Sequence, residues 1–137
     1  MNRTKSNYLK ISILIGFSFL LIATIPIQQK GDWKAPKEAD ALKNPIKENS
    51  ETALAGQKLY TSMCVICHGN KGKGDGAAGV NLNPRPTNLI STQVQEQTDG
   101  AIYWKLTEGR APMASYKTAL SEEQRWQLVN YIRKLKK

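Results

Sequence analysis

Two apolar patterns divide the chain. From Ile11 to Ile27 the residues are almost all apolar (ISILIGFSFLLIATIPI), whereas beyond residue 50 apolar positions recur three and four apart. The second pattern is that of helices burying one face, and it predicts three of them. The first runs from about Thr52 to Met63, with Leu59, Tyr60 and Met63 at helical spacing. The second covers DGAIYWKLTEG, with Asp99 as its N-cap and Gly109 as its stop. In the third, Ser121 and Gln124 form an S-x-x-Q capping box, and Trp126, Leu128, Val129, Tyr131, Ile132 and Leu135 follow at helical spacing. Between the first two lies GNKGKGDGAAGVNLNPRPTNL, whose glycines and prolines read as loop, not sheet. The expected fold class is all-α.

The uninterrupted run has a different meaning. Arg3, Lys5 and Lys10 precede it, charge lies on one flank only, and it has no polar face. That is the basic and apolar order of an export signal. At helical rise the run reaches roughly 25 Å, inside the range for a spanning helix. No small-residue cleavage pattern is evident after Ala23. Residues 1–30 are therefore expected to be an export signal or an uncleaved anchor, crossing the cytoplasmic membrane through residues 9–27, with the remainder periplasmic or otherwise extracytoplasmic.

Residues 31–50, GDWKAPKEADALKNPIKENS, are polar with two prolines and read as a linker or extended arm. Trp33 is its one large apolar residue, either an interface-level aromatic or an anchor packing on the domain or a partner. Residues 51–137 form one domain, small for a core made of side chains alone.

Charge changes the picture little. The net charge is +9, but Arg3, Lys5, Lys10 and Lys30 belong to the N-terminal segment. No basic stripe interleaved with aromatics is present, so a nucleic-acid partner is not expected. The terminal RKLKK suits a helix C-terminus and can help steer an acidic partner.

The chemistry concentrates in TSMCVICHGNKGKGDG, which holds both cysteines, Cys64 and Cys67, and the sole histidine, His68. A structural zinc site needs four ligands, and these are three with no further Cys or His. A thioredoxin-like dithiol opens a helix after a strand, whereas this pair ends a helical pattern. Haem attachment accounts for all three: two thiols add to the two vinyl groups of one porphyrin, and the adjacent imidazole is held beneath the iron. The glycine cluster from Gly69 to Gly79 lacks the lysine and Ser/Thr of a phosphate loop and has no preceding strand. It reads as chain bending around the edge of a flat ligand.

With AGQKLY, CVICHG, LNPRPTNL, EGRAPMASY and LSEEQRWQLVNYIRKL in that order, residues 51–137 resemble the class I mono-haem cytochrome c family. The resemblance implies a small fold of three or more helices wrapped around one covalently bound haem c. It implies a close crossing of the first and last helices, with Gly56 matching the family's glycine and Tyr60, Trp126 and Tyr131 as candidate aromatics. His68 is then the proximal iron ligand, its other ring nitrogen bonded to a loop proline carbonyl, Pro84 in preference to Pro86. The other axial ligand is Met113, in the family's position for the thioether, since Met1 lies in the signal and Met63 lies on the helix of Cys64, where it reads as core filler. Here proline precedes the methionine (Pro112) and Ala114 follows it, the reverse of many relatives. Arg85, between two prolines, is the candidate propionate contact, ahead of Tyr103, Trp104 and Lys105, and Trp104 reads as core.

His/Met ligation favours reduced iron and closes the site to oxygen and peroxide. The expected function is single-electron transfer between respiratory redox partners, without enzymatic bond chemistry, aided by a rim of Lys71, Lys73, Lys105 and Lys117. The alternatives are a membrane-held haem subunit of a larger respiratory or dehydrogenase complex, and a ligand-binding or peroxidatic haem protein with an open axial site.

Overall fold

The structure, a computed structural model, describes residues 32–46 and 49–136; residues 1–30, expected to be an export signal or anchor, lie outside them. Among the described residues six α-helices follow in order: α1 (Lys37–Asp40), α2 (Ser50–Met63), α3 (Val65–His68), α4 (Thr92–Gln95), α5 (Asp99–Glu108) and α6 (Glu122–Lys134). A 3-10 turn covers Gly79–Asn81. Among the described residues the only strand-like pairing is one isolated bridge, Arg110 with Met113. The described chain is all-α.

The ends of α2 and α6 follow from local chemistry. Asn49 accepts from the Thr52 amide while the Thr52 hydroxyl accepts from the Asn49 amide, a reciprocal box that starts α2 two residues earlier than the apolar pattern alone predicts. In α6 the expected box is present: Ser121 Oγ accepts from Gln124 N at 3.2 Å and Gln124 Oε1 accepts from Ser121 N at 2.9 Å. Glu122 and Glu123 occupy its first turn and Arg133 and Lys134 its last, each sign favoured at that end by the helix dipole. At α5 the cap is Thr98, whose hydroxyl accepts from Ala101 N, rather than Asp99. Asp99 instead receives Arg133 from α6 at 2.8 Å.

Packing centres on the crossing of α2 and α6. Ala53, Gly56 and Tyr60 form the buried stripe of α2. A Cβ on Gly56 would lie 2.0 Å from the Gln127 carbonyl oxygen, so only a residue without a side chain permits this approach. One turn on, the rings of Tyr60 and Tyr131 meet at 5.1 Å, and Leu128 and Val129 are sealed from solvent. α5 lies across α6 with Tyr103 stacked on Trp126 at 4.1 Å. Trp104, expected in the core, is half-buried and meets Trp33 at 6.3 Å instead.

From Trp33 onward the arm packs with the helical domain as one compact unit. Ala39 of α1 is buried, Asp40 accepts from the Thr98 hydroxyl at 2.9 Å, and Asn44 donates to Asn130 of α6 at 2.7 Å. Trp33 also lies under two cations, the Arg110 guanidinium at 5.0 Å and the Lys105 ammonium at 5.6 Å. Of the two readings of Trp33, the one packing on the domain describes the structure.

The crossing gives a test in which two effects have opposite signs. Alanine at position 56 gains about 1 kcal/mol of helix propensity but strikes backbone. Gly56→Ala is expected to destabilise the haem-loaded protein by about 2 kcal/mol or more in urea unfolding, since overpacking against backbone cannot relax through a rotamer. A stabilised variant would contradict the crossing.

Candidate functional site

The Cys64–His68 segment forms where α2 ends. Cys64 terminates α2 through its amide bond to Tyr60 O at 2.8 Å, and the chain re-enters a helical turn, with His68 N donating to Cys64 O at 2.8 Å. Two cysteines and a histidine thus share just over one turn. Both thiols are free, Cys64 buried and Cys67 half-buried.

The glycine-rich loop folds back over this turn. Gly76 N donates to Cys67 O, Ala78 N to Ile66 O and Gly74 N to His68 O, at 3.1, 2.9 and 2.8 Å. These are the helix-end carbonyls that no intrahelical amide reaches. Tyr60, from α2, donates its hydroxyl to Gly69 O at 2.7 Å, and burial pushes its pKa well above the usual phenol range.

The carbonyl facing His68 Nδ1 is that of Thr87, at 3.2 Å, and not that of Pro84 or Pro86. The family-like proline stretch does supply the partner, one residue beyond Pro86, because Gly72 O anchors Leu89 N at 2.7 Å and fixes the returning strand of loop. A carbonyl only accepts, so Nδ1 carries the ring proton and Nε2 keeps its lone pair. Burial lowers the His68 pKa and so favours the neutral imidazole that metals require, while the Thr87 bond opposes this in part.

Met113 sits in the loop between α5 and α6, half-buried against the core. Its amide donates to Arg110 O at 2.9 Å and its carbonyl accepts from Arg110 N at 3.0 Å, closing a tight turn. Gly109, at φ +65°, lets the chain leave α5 where a side chain would meet Ser115 N at 2.5 Å. Tyr116 then donates to Met63 O at 3.4 Å, which brings the methionine loop to the residue preceding Cys64. Met63 itself is 37% exposed and does not fill the core as expected.

The remaining expected residues scatter. Arg85 is exposed and makes no hydrogen bond or ion pair with the described residues. Lys71, Lys73 and Lys117 are exposed. Lys105 is half-buried, bonded to Gln97 Oε1 at 2.5 Å and packed near Trp33, so it belongs to the fold rather than to a rim. One residue that the sequence did not single out stands beside the methionine loop: Arg125, buried on α6, donates to three of its backbone carbonyls.

The donor set fits haem. Two unpaired thiols and a neutral imidazole with a free nitrogen lie on one turn, and Leu89, Met113 and Tyr116 border the buried cluster that contains Cys64. Among the described residues no group of three or more Cys, His, Asp and Glu side chains forms a metal cage of its own. Burial pushes the Cys64 thiol up to about 11. In haem-free protein at pH 8, Cys67 is expected to be alkylated first, with Cys64 slower by about tenfold or more, because the thiolate is the reacting form. Equal labelling by mass spectrometry would contradict this burial.

A family model described as cytochrome c oxidase, cbb3-type, subunit III matches residues 51–132. Among solved structures, a chain of the reducing HAO-like protein complex of Kuenenia stuttgartiensis is similar at 28% identity and a TM-score of 0.61, over 70% of this chain and 48% of that one. This chain therefore spans about half the length of that relative. No curated protein matches. The family carries covalently bound haem c, and domains of this type are typically extracytoplasmic. The match runs from the second residue of α2 almost to the end of α6 and takes in both cysteines, His68 and Met113, so the chain belongs to the cbb3-type subunit III family of class I mono-haem cytochromes c, whose members are generally electron carriers.

Proposed function

We propose that this chain carries single electrons between respiratory redox partners through one haem c whose iron is ligated by His68 and Met113. The observation that carries the reading is the pairing of two fixed donors. His68 presents Nε2 because Thr87 O occupies Nδ1, and the sulfur donor that lies off the helix of Cys64, Met113, sits in a turn closed by reciprocal bonds to Arg110.

Bound haem supplies a one-electron couple at its iron. Cys64 and Cys67 would hold the porphyrin through two thioethers, each formed by addition of a thiol across a vinyl group. His68 and Met113 would ligate its iron, a donor pair that would exclude oxygen and peroxide and favour the reduced state. Leu89 and Tyr116, packed against the core beside Cys64, would shield the group from water. Arg85, exposed on the proline-rich loop, is the proposed propionate contact. The exposed Lys71, Lys73 and Lys117 steer acidic partners, a role suited to weak and fast encounters.

The family description favours a second reading with the same chemistry, a haem subunit of a larger oxidase or other respiratory complex. In that reading residues 9–27 hold the domain at the cytoplasmic membrane and the partner is fixed.

Visible spectra of the protein matured with haem test the ligation. The expected result is low-spin bands in both oxidation states, displaced only slowly when carbon monoxide is added to the reduced form. In Met113→Ala a high-spin component and rapid carbon monoxide binding are expected. Wild-type protein that binds carbon monoxide at once would instead indicate an open site and ligand-binding or peroxide chemistry.

A further inference from the structure

The Arg125 guanidinium is a buried charge for which electron transfer by itself gives no reason. The residue is 5% exposed, and neither ion pair among the described residues, Lys117 with Glu108 or Arg133 with Asp99, involves it. Its neighbours on α6, Trp126, Leu128 and Val129, are apolar and buried, so packing alone would favour an apolar residue there. A buried charge is costly unless hydrogen bonds compensate it.

Three of its four bonds go to the methionine loop. One terminal nitrogen donates to Leu120 O at 2.7 Å, to Lys117 O at 3.1 Å and to Tyr116 O at 3.4 Å. The other donates to the Tyr103 hydroxyl of α5 at 2.9 Å, and the guanidinium carbon lies 5.2 Å from the Tyr103 ring centre. Nε is buried without a partner, so the side chain spends part of its bonding capacity to reach the loop. The first half of that loop is tied to α5 through Tyr116 N to Leu106 O at 3.0 Å and Ser115 Oγ to Thr107 O at 2.6 Å. Its second half, Tyr116 to Leu120, is tied to α6 by Arg125.

We propose that Arg125 is a positioning residue for Met113: by gathering the Tyr116, Lys117 and Leu120 carbonyls it holds the methionine loop shut and sets how often the thioether leaves its place. The proposal rests on the His68/Met113 reading. Because Tyr116 also bonds to Met63 O, the same clamp fixes the loop against the segment that bears the cysteines.

The test uses the full chain matured with haem. Reduced wild type, Arg125→Met, Arg125→Lys and Asn49→Ala are mixed with saturating carbon monoxide, so that the binding rate reports loop opening. The far-red thioether-to-iron band of the oxidised forms is recorded alongside. Asn49→Ala removes the α2 cap and serves as a control that loses stability away from the loop. Losing even one charge-assisted bond to the loop is expected to raise the rate in Arg125→Met about tenfold or more. Arg125→Lys, which keeps the charge but fewer bonds, is expected to fall between, and carries the test if the methionine variant does not accumulate. Asn49→Ala is expected to match wild type.

A wild-type rate in both Arg125 variants would overturn the proposal while leaving His/Met ligation intact. An equal acceleration in Asn49→Ala would overturn it by showing a general loss of stability. Wild type lacking the thioether band and binding carbon monoxide at once would instead overturn the ligation reading.

Discussion

The backbone of α2 approaches α6 so closely at Gly56 that one added methyl would strike the Gln127 carbonyl, and the rest of the domain is built on that contact. It fixes where α2 points, and hence where its last residue, Met63, hands over to Cys64. It also places Tyr60 beside Tyr131, so that the Tyr60 hydroxyl can hold the Gly69 carbonyl directly after His68. The helix that packs the core and the turn that bears the cysteines are one continuous piece of chain.

Two loops border the site, each fixed by donors aimed at backbone carbonyls. The glycine-rich loop supplies amides to Ile66, Cys67 and His68, and its continuation supplies the Thr87 carbonyl that orients the imidazole. The methionine loop is closed on itself at Arg110 and Met113 and tied to α5 and α6 by Tyr116, Ser115 and Arg125. Neither loop has regular secondary structure over most of its length. Their order comes from satisfied polar groups in a domain too small to rely on apolar bulk alone.

What was legible in the sequence followed from strong local signals. The capping box at Ser121, the apolar repeat of α6 and the stop at Gly109 each specify local geometry without help from distant residues, and the structure has all three. Asn49 also caps locally, but its partner is Thr52 rather than Glu or Gln, so the apolar pattern alone starts α2 two residues late. The choice of Thr87 over Pro84 depends on how far the loop travels before Gly72 anchors it, a distance that spacing cannot supply. Arg125 was hidden for a related reason: on a helix rich in charge a single arginine reads as surface, and only the packing of α5 and the loop against it shows that it is buried. Trp33 has two readings in the sequence, and only its contact with Trp104 distinguishes them.

The proposed electron transfer requires Met113 and His68 to meet at one iron, and the proposed role of Arg125 is to keep Met113 there. The most direct measurement is the proton magnetic resonance spectrum of the reduced, haem-loaded protein. The account predicts that the Met113 methyl resonance lies far upfield, shifted by the porphyrin ring current, and that it disappears in Met113→Ala. A reduced protein whose three methionine methyls all resonate at ordinary positions would contradict it.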